Sequence, residues 1–126
     1  MDATKSFFEA YRDVPKVYLM QLLEGHEGTG EVIKSIDKPL SRLLTQLEKQ
    51  SLLEDTTVVV FSDHGLHMHG ILKLLSPESV NLEMLLPGMM VSLPAKMNNI
   101  YREKIALNQQ AFLTALNFYH FIRHIA

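Results

Sequence analysis

A chain of 126 residues, 47 % of them hydrophobic, has the size of one globular domain and is too short for two. Its formal net charge of −2 excludes the basic footprint of a nucleic-acid or anionic-membrane binder. The absence of cysteine excludes disulfides and thiol chemistry and leaves the compartment open. No apolar run approaches the roughly 18 residues that span a bilayer, and residues 1–20 lack the basic-then-apolar pattern of a secretory signal.

In chain order, Ser6 to Tyr11 reads as a short helix stopped before Pro15. Lys16 to Leu23 is mostly apolar with β-branched and aromatic members, which suits a buried strand. Gly25, Gly28 and Gly30 then mark a loop. From Glu31 to Ser51, apolar residues at Val32, Ile36, Leu40, Leu43, Leu44 and Leu47 follow the spacing of a helix with one buried stripe. Pro39 removes a backbone donor from that pattern and is expected to kink the helix or mark its true start. Leu53 to Thr56 is a turn. Thr57 to Phe61, β-branched and aromatic without alternation, fits a strand covered on both faces.

A polar, glycine-punctuated stretch follows from Ser62 to Ser79. Met89 to Leu93, bracketed by Pro87 and Pro94, is the next strand, and Tyr101 to Ala126 is helical with Phe118, Phe121, Ile122 and Ile125 on one stripe. No repeat or long linker divides the chain, so residues 1–126 form one unit. The order of elements implies an α/β fold with parallel pairing and right-handed crossovers. Three strands are few for a complete sheet, which points to part of a larger one.

Chemistry concentrates where the Thr57–Phe61 strand ends, at Ser62-Asp63-His64-Gly65. In open α/β sheets, ligands bind beyond the carboxyl ends of strands. Consecutive side chains in a strand point to opposite faces, so Asp63 and His64 reach one ion only if the chain turns there. Gly65 supplies the freedom to do so. A carboxylate oxygen beside an imidazole nitrogen suits a divalent ion of the zinc or manganese kind. The bland alternative is an Asp that caps the turn and a His that is an ordinary loop residue.

The block Thr56-Thr57-Val58-Val59-Val60-Phe61-Ser62-Asp63-His64-Gly65, after a helix carrying Ile36-Asp37 and ending in Leu47-Glu48-Lys49-Gln50-Ser51-Leu52-Leu53, resembles the alkaline phosphatase/sulfatase superfamily. The likeness is closest to the sulfatase-like DUF229 group. It extends to His26-Glu27, to Glu83 with Leu86-Pro87, to Ser92-Leu93-Pro94, and to the tail from Asn108 through Phe118-Tyr119-His120 to Arg123-His124-Ile125-Ala126.

The resemblance implies a partial three-layer α/β/α sandwich with a mostly parallel sheet, the C-terminal part of a sulfatase-like hydrolase domain. It implies Asp63 and His64 as ligands of a catalytic divalent metal (zinc, manganese or calcium). It also implies His26 as a residue near the transferred phosphate or sulfate group of an ester substrate. Two local departures are Leu66-His67-Met68-His69-Gly70, where relatives place a glycine slightly earlier, and Asn117, where they tend to have Asp. The superfamily's nucleophile and a further metal-binding Asp have no counterpart here, since Thr29 follows the His-Glu pair. With two ligands of the four or more that such ions take, weak or no activity is expected of this chain alone.

The remaining features read more plainly. His64, His67 and His69 could form an accessory zinc or nickel cluster on one loop, but no carboxylate or cysteine completes it in sequence. His120 and His124 share a helix face without the Glu of a metalloprotease motif and read as solvent-facing. Met84, Met89, Met90 and Met97 fit an irregular core better than a copper site. The rival to a hydrolase fragment is a non-catalytic α/β module that binds a protein partner or self-associates through exposed apolar surface.

Overall fold

The computed structural model describes residues 1–65, 70–94 and 96–125. In order come α1 (Asp2–Ala10), α2 (Lys34–Lys49), β1 (Val58–Phe61), a 3-10 segment (Gly70–Leu74), α3 (Pro77–Leu85), β2 (Met89–Ser92), α4 (Asn99–Leu107) and α5 (Ala115–Ile125).

The expected apolar stripe is what buries α2, through Ile36, Leu43 and Leu47. The chain enters it by three successive i→i−3 bonds: Lys34 N to Glu31 O (3.2 Å), Ser35 N to Val32 O (2.9 Å) and Ile36 N to Ile33 O (3.1 Å). Pro39 lies in the second turn, past the helix start, and its ring nitrogen cannot donate to the Ser35 carbonyl.

The exit of α2 is a Schellman cap. Leu52 N donates to Leu47 O and Ser51 N to Glu48 O, both at 2.9 Å, with Ser51 in the left-handed region at φ 57°. The cap folds Leu52 back onto Leu47, and both join Phe8 and Leu43 in the buried cluster. Phe7, Met20 and Leu53 pack against it.

Buried Thr4 of α1 meets the Tyr18 hydroxyl at 3.0 Å, and Tyr18 in turn lies against the rings of Phe7 and Phe8. The Lys16 ammonium closes the end of α1, donating to the carbonyls of Tyr11, Arg12 and Val14 and sitting 5.6 Å above the Phe8 ring. Arg12 donates to the Gln50 carbonyl at 3.2 Å, tying the ends of the two helices together.

Residues 16–23 do not form the expected strand. They run without helix, turn or ladder, Tyr18 and Met20 turned toward the core and Val17 and Leu19 toward solvent. Their composition favours extension, but a strand also needs a neighbour, and β1 takes its neighbour from further along the chain.

That neighbour is β2, paired antiparallel with Val58 opposite Ser92 and Phe61 opposite Met89. Among the described residues this is the whole sheet, so the parallel pairing expected from element order is replaced by an antiparallel return within a mixed α/β chain. A parallel pair needs a crossover helix packed on the sheet. The intervening α3 leaves Leu82 and Leu85 exposed and makes no such layer.

The expected single tail helix is two. α4 starts at Asn98, whose side chain accepts from Ile100 N at 2.9 Å, and Arg102 fastens it to the Leu93 and Pro94 carbonyls at the exit of β2. α5 starts at a reciprocal cap: Thr114 N and Oγ1 donate to Asn117 Oδ1 (2.9 and 2.7 Å), while Asn117 N donates to Thr114 Oγ1 (3.3 Å). Phe118 of α5 then stacks on Phe61 at 4.5 Å between ring centres.

Burial is lopsided. Among the described residues, none after Leu52 is buried. The accessible surface is 9950 Å², against about 6,800 Å² for a compact monomer of this mass.

Leu47, with 2 % of its surface exposed, is the best-buried described side chain. Leu47→Ala is expected to cost about 2–4 kcal/mol in urea unfolding, the larger value if the helices cannot close the cavity. Ser51→Gly is expected to raise stability by about 0.5 kcal/mol, the relief of left-handed strain less the entropy glycine adds to the unfolded chain.

Candidate metal centre

β1 delivers the Asp-His pair to the edge of the sheet. Ser62 N donates to Gly88 O at 3.1 Å, the last bond of the ladder, so the backbone is held up to the residue before Asp63. Beyond it Asp63 Oδ1 accepts from His64 N at 3.0 Å, a local turn that brings the two side chains to the same side. His64 Nδ1 lies 2.8 Å from the Gly65 carbonyl, an oxygen that can only accept. Nδ1 therefore carries the proton, and in the neutral ring Nε2 holds the lone pair. Nε2 stands 3.5 Å from Asp63 Oδ2.

Two ligand atoms of one tetrahedral ion, each about 2.1 Å from it, would be separated by about that distance. The pair thus fits a divalent cation, with one nitrogen and one oxygen of suitable hardness. The Asp63 side chain is 86 % exposed and that of His64 41 %, so water has room to supply further ligands. Among the described residues no three His, Asp or Glu side chains gather as a metal-holding group. His26 accordingly adds no third ligand to Asp63 and His64. His67 and His69 lie outside the described residues.

His26 is exposed and opens the loop between the core and α2, its N–H donating to Leu23 O at 2.9 Å. Glu27, next to it, organises that loop. Its carboxylate accepts from Thr29 N (2.8 Å), from Thr29 Oγ1 (2.9 Å) and from Val32 N (3.1 Å), and Thr29 Oγ1 in turn accepts from Glu31 N at 3.2 Å. These donors, the Thr29 amide first and the Val32 amide next, hold the Glu27 carboxyl down at about 2. Gly30, at φ 68°, lets the chain turn inside the clasp.

The sequence offered a signal for the clasp, a carboxylate two residues before a threonine in a glycine-rich loop, where a side chain can bond the nearby backbone amides. The histidine pair of α5 behaves as expected: both are exposed, His120 lies 5.5 Å from the Tyr119 ring and His124 6.0 Å from Tyr101.

A carboxyl held low in the folded state contributes its stabilisation above the unfolded value of 4.5 and loses it as pH falls toward 2. The Thr29 and Val32 amide proton shifts are expected to titrate together with a midpoint near 2, and Glu27→Gln should abolish that titration. A midpoint near 4.5 in NMR would show that the clasp is not formed.

No curated protein and no solved structure matches the chain. One family does, over all of residues 1–126, under the description "Protein of unknown function (DUF229)". The chain belongs to the DUF229 family.

Proposed function

We propose that this chain is the metal-binding, C-terminal part of a phosphate- or sulfate-ester hydrolase of the alkaline phosphatase/sulfatase superfamily, weakly active or inactive by itself. The observation that carries the reading is the Asp63–His64 pair, its Oδ2 and Nε2 3.5 Å apart just past the carboxyl end of β1. Family membership supports it through the likeness of the Thr56–Gly65 block to the sulfatase-like members.

In this reading Asp63 and His64 hold a zinc, manganese or calcium ion, and Gly65 sets the imidazole through Nδ1. Such an ion, when bound, polarises an ester oxygen and acidifies a nucleophile. The nucleophile and the other ligands come from outside these residues. His26, exposed on the clasped loop, contacts the anionic group of the substrate. β1 and β2 are then two strands of a larger, mostly parallel sheet in a three-layer α/β/α sandwich, a view supported by the surface left bare after Leu52. Among the described residues no helix is long and apolar enough to cross a membrane.

Titration calorimetry with zinc or manganese is expected to show weak uptake by the chain. Asp63→Ala and His64→Ala should each weaken it on the order of tenfold or more, since each removes one of two protein ligands. The double substitution should abolish uptake, and His124→Ala should leave it unchanged. Uptake unaffected by the double substitution sinks the metal assignment.

A second reading is favoured by the excess surface: a module that associates with a protein partner or with itself through apolar side chains left open by the fold.

A further inference from the structure

The end of β1 is held from two directions. Along its edge, Ser62 N donates to Gly88 O at 3.1 Å and closes the ladder. Across its face, the Phe61 ring meets the Phe118 ring of α5, centres 4.5 Å apart and planes inclined at 49°. Alternate side chains of a strand share a face, so Val59 and Phe61 stand together, with Val91 and Met89 opposite them. Val59 and Val91 are half-buried, whereas Val60 and Met90 on the other face are exposed. The face that Phe118 meets is thus the covered one.

The helix end that supplies Phe118 is itself fixed. Phe118 N donates to Thr114 O at 3.0 Å in the first turn of α5, directly after the Thr114–Asn117 cap. Phe118 is half-buried, while Leu116 and Tyr119 around it are 63 and 53 % exposed.

We infer that Phe118 is a positioning residue for the Asp63–His64 pair and acts through Phe61. A two-stranded ladder is marginal in water, and its ends open first. Phe61 ends β1 two places before Asp63. Where it frays, Ser62 leaves Gly88 and the turn at Asp63 loses its fixed origin. The ring contact resists that opening from a separate element. Asp63 Oδ2 and His64 Nε2 then stand 3.5 Å apart for more of the time before an ion arrives. A site formed only part of the time binds more weakly by that fraction. An aromatic pair stabilises what it joins by a factor of about two to ten, which bounds the effect. This inference rests on the metal-binding reading and adds to it a residue from the last helix.

Zinc titration calorimetry on the full chain tests it, with urea unfolding of the helical core read alongside. Phe118→Ala is expected to weaken zinc uptake about threefold, and at most about tenfold, while the core's unfolding midpoint stays at the wild-type value. Phe61→Leu removes the ring contact from the strand side and leaves the sequence of α5 intact, so an equal loss there cannot come from an unwound helix. With both substitutions the loss should match that of either alone, since Phe118 acts only through Phe61. Phe118→Tyr keeps the ring and should restore uptake. Phe112→Ala, at a ring 78 % exposed on the same tail, should leave it unchanged. Uptake that Phe118→Ala does not alter, or losses that add in the double variant, overturn the positioning role and leave the metal reading standing. Uptake absent from the wild type, or indifferent to the joint Asp63→Ala and His64→Ala substitution, overturns the metal reading and the positioning role with it.

Discussion

The return of Leu52 onto Leu47 across the end of α2 is the contact on which the rest of the chain depends. It needs a residue in the left-handed region to make the reversal, and Ser51 takes that role at φ 57°. Once Leu52 is seated, Thr56 is fixed too, its N–H on the Leu53 carbonyl and its hydroxyl on that of Leu52, both at 3.2 Å. β1 follows at once. The direction in which the chain leaves the helical core is therefore set by one buried leucine pair, and Asp63 and His64 are placed by it at one remove.

What lies beyond that contact is built differently. The core is an interlock of Phe8, Leu43, Leu47 and Leu52, held by burial. The sheet and the C-terminal helices hold together by backbone pairing, caps and a few ring contacts, none of them at a buried residue. Ser62 on Gly88, Phe118 on Phe61, Arg102 on the Leu93 carbonyl and the Thr114–Asn117 box are each modest. The Asp63–His64 pair on such a platform gains access to solvent and loses rigidity. Precise geometry at Asp63 and His64 would require further layers of structure around them.

Sequence reasoning succeeded where a residue's own period or chemistry decided the outcome. The stripe of α2 was legible from its helical period and β1 from its β-branched and aromatic composition, although Val60 and Phe61 stand exposed where cover on both faces was expected. The turn that brings Asp63 and His64 together was legible too, since a strand exit followed by glycine is where the chain can bring two adjacent side chains to one side.

Pairing was not legible. The composition of Lys16–Leu23 favours extension but says nothing of which neighbour it has, and element order favoured a parallel sheet where α3 provides no layer to support one. The split of the tail was written in Thr114-x-x-Asn117, a capping box with Asn in place of Glu, and the apolar stripe from Phe118 onward obscured it. Glu27 was overlooked for a related reason. Beside a histidine a carboxylate suggests chemistry, yet its partners are backbone amides of its own loop.

The lopsided burial has a consequence for motion. With every buried described side chain at or before Leu52, opening free energies must be graded along the chain. Amides in the middle of α2 exchange with solvent only when the whole core comes apart. Those of β1 and β2 are protected by a two-stranded ladder alone and exchange through local opening that leaves the core intact. The same gradient makes the strand exit a sensitive reporter: whatever seats on Asp63 and His64, an ion or a missing layer of protein, first registers as slowed exchange at Val60 and Ser62 while α2 stays unchanged.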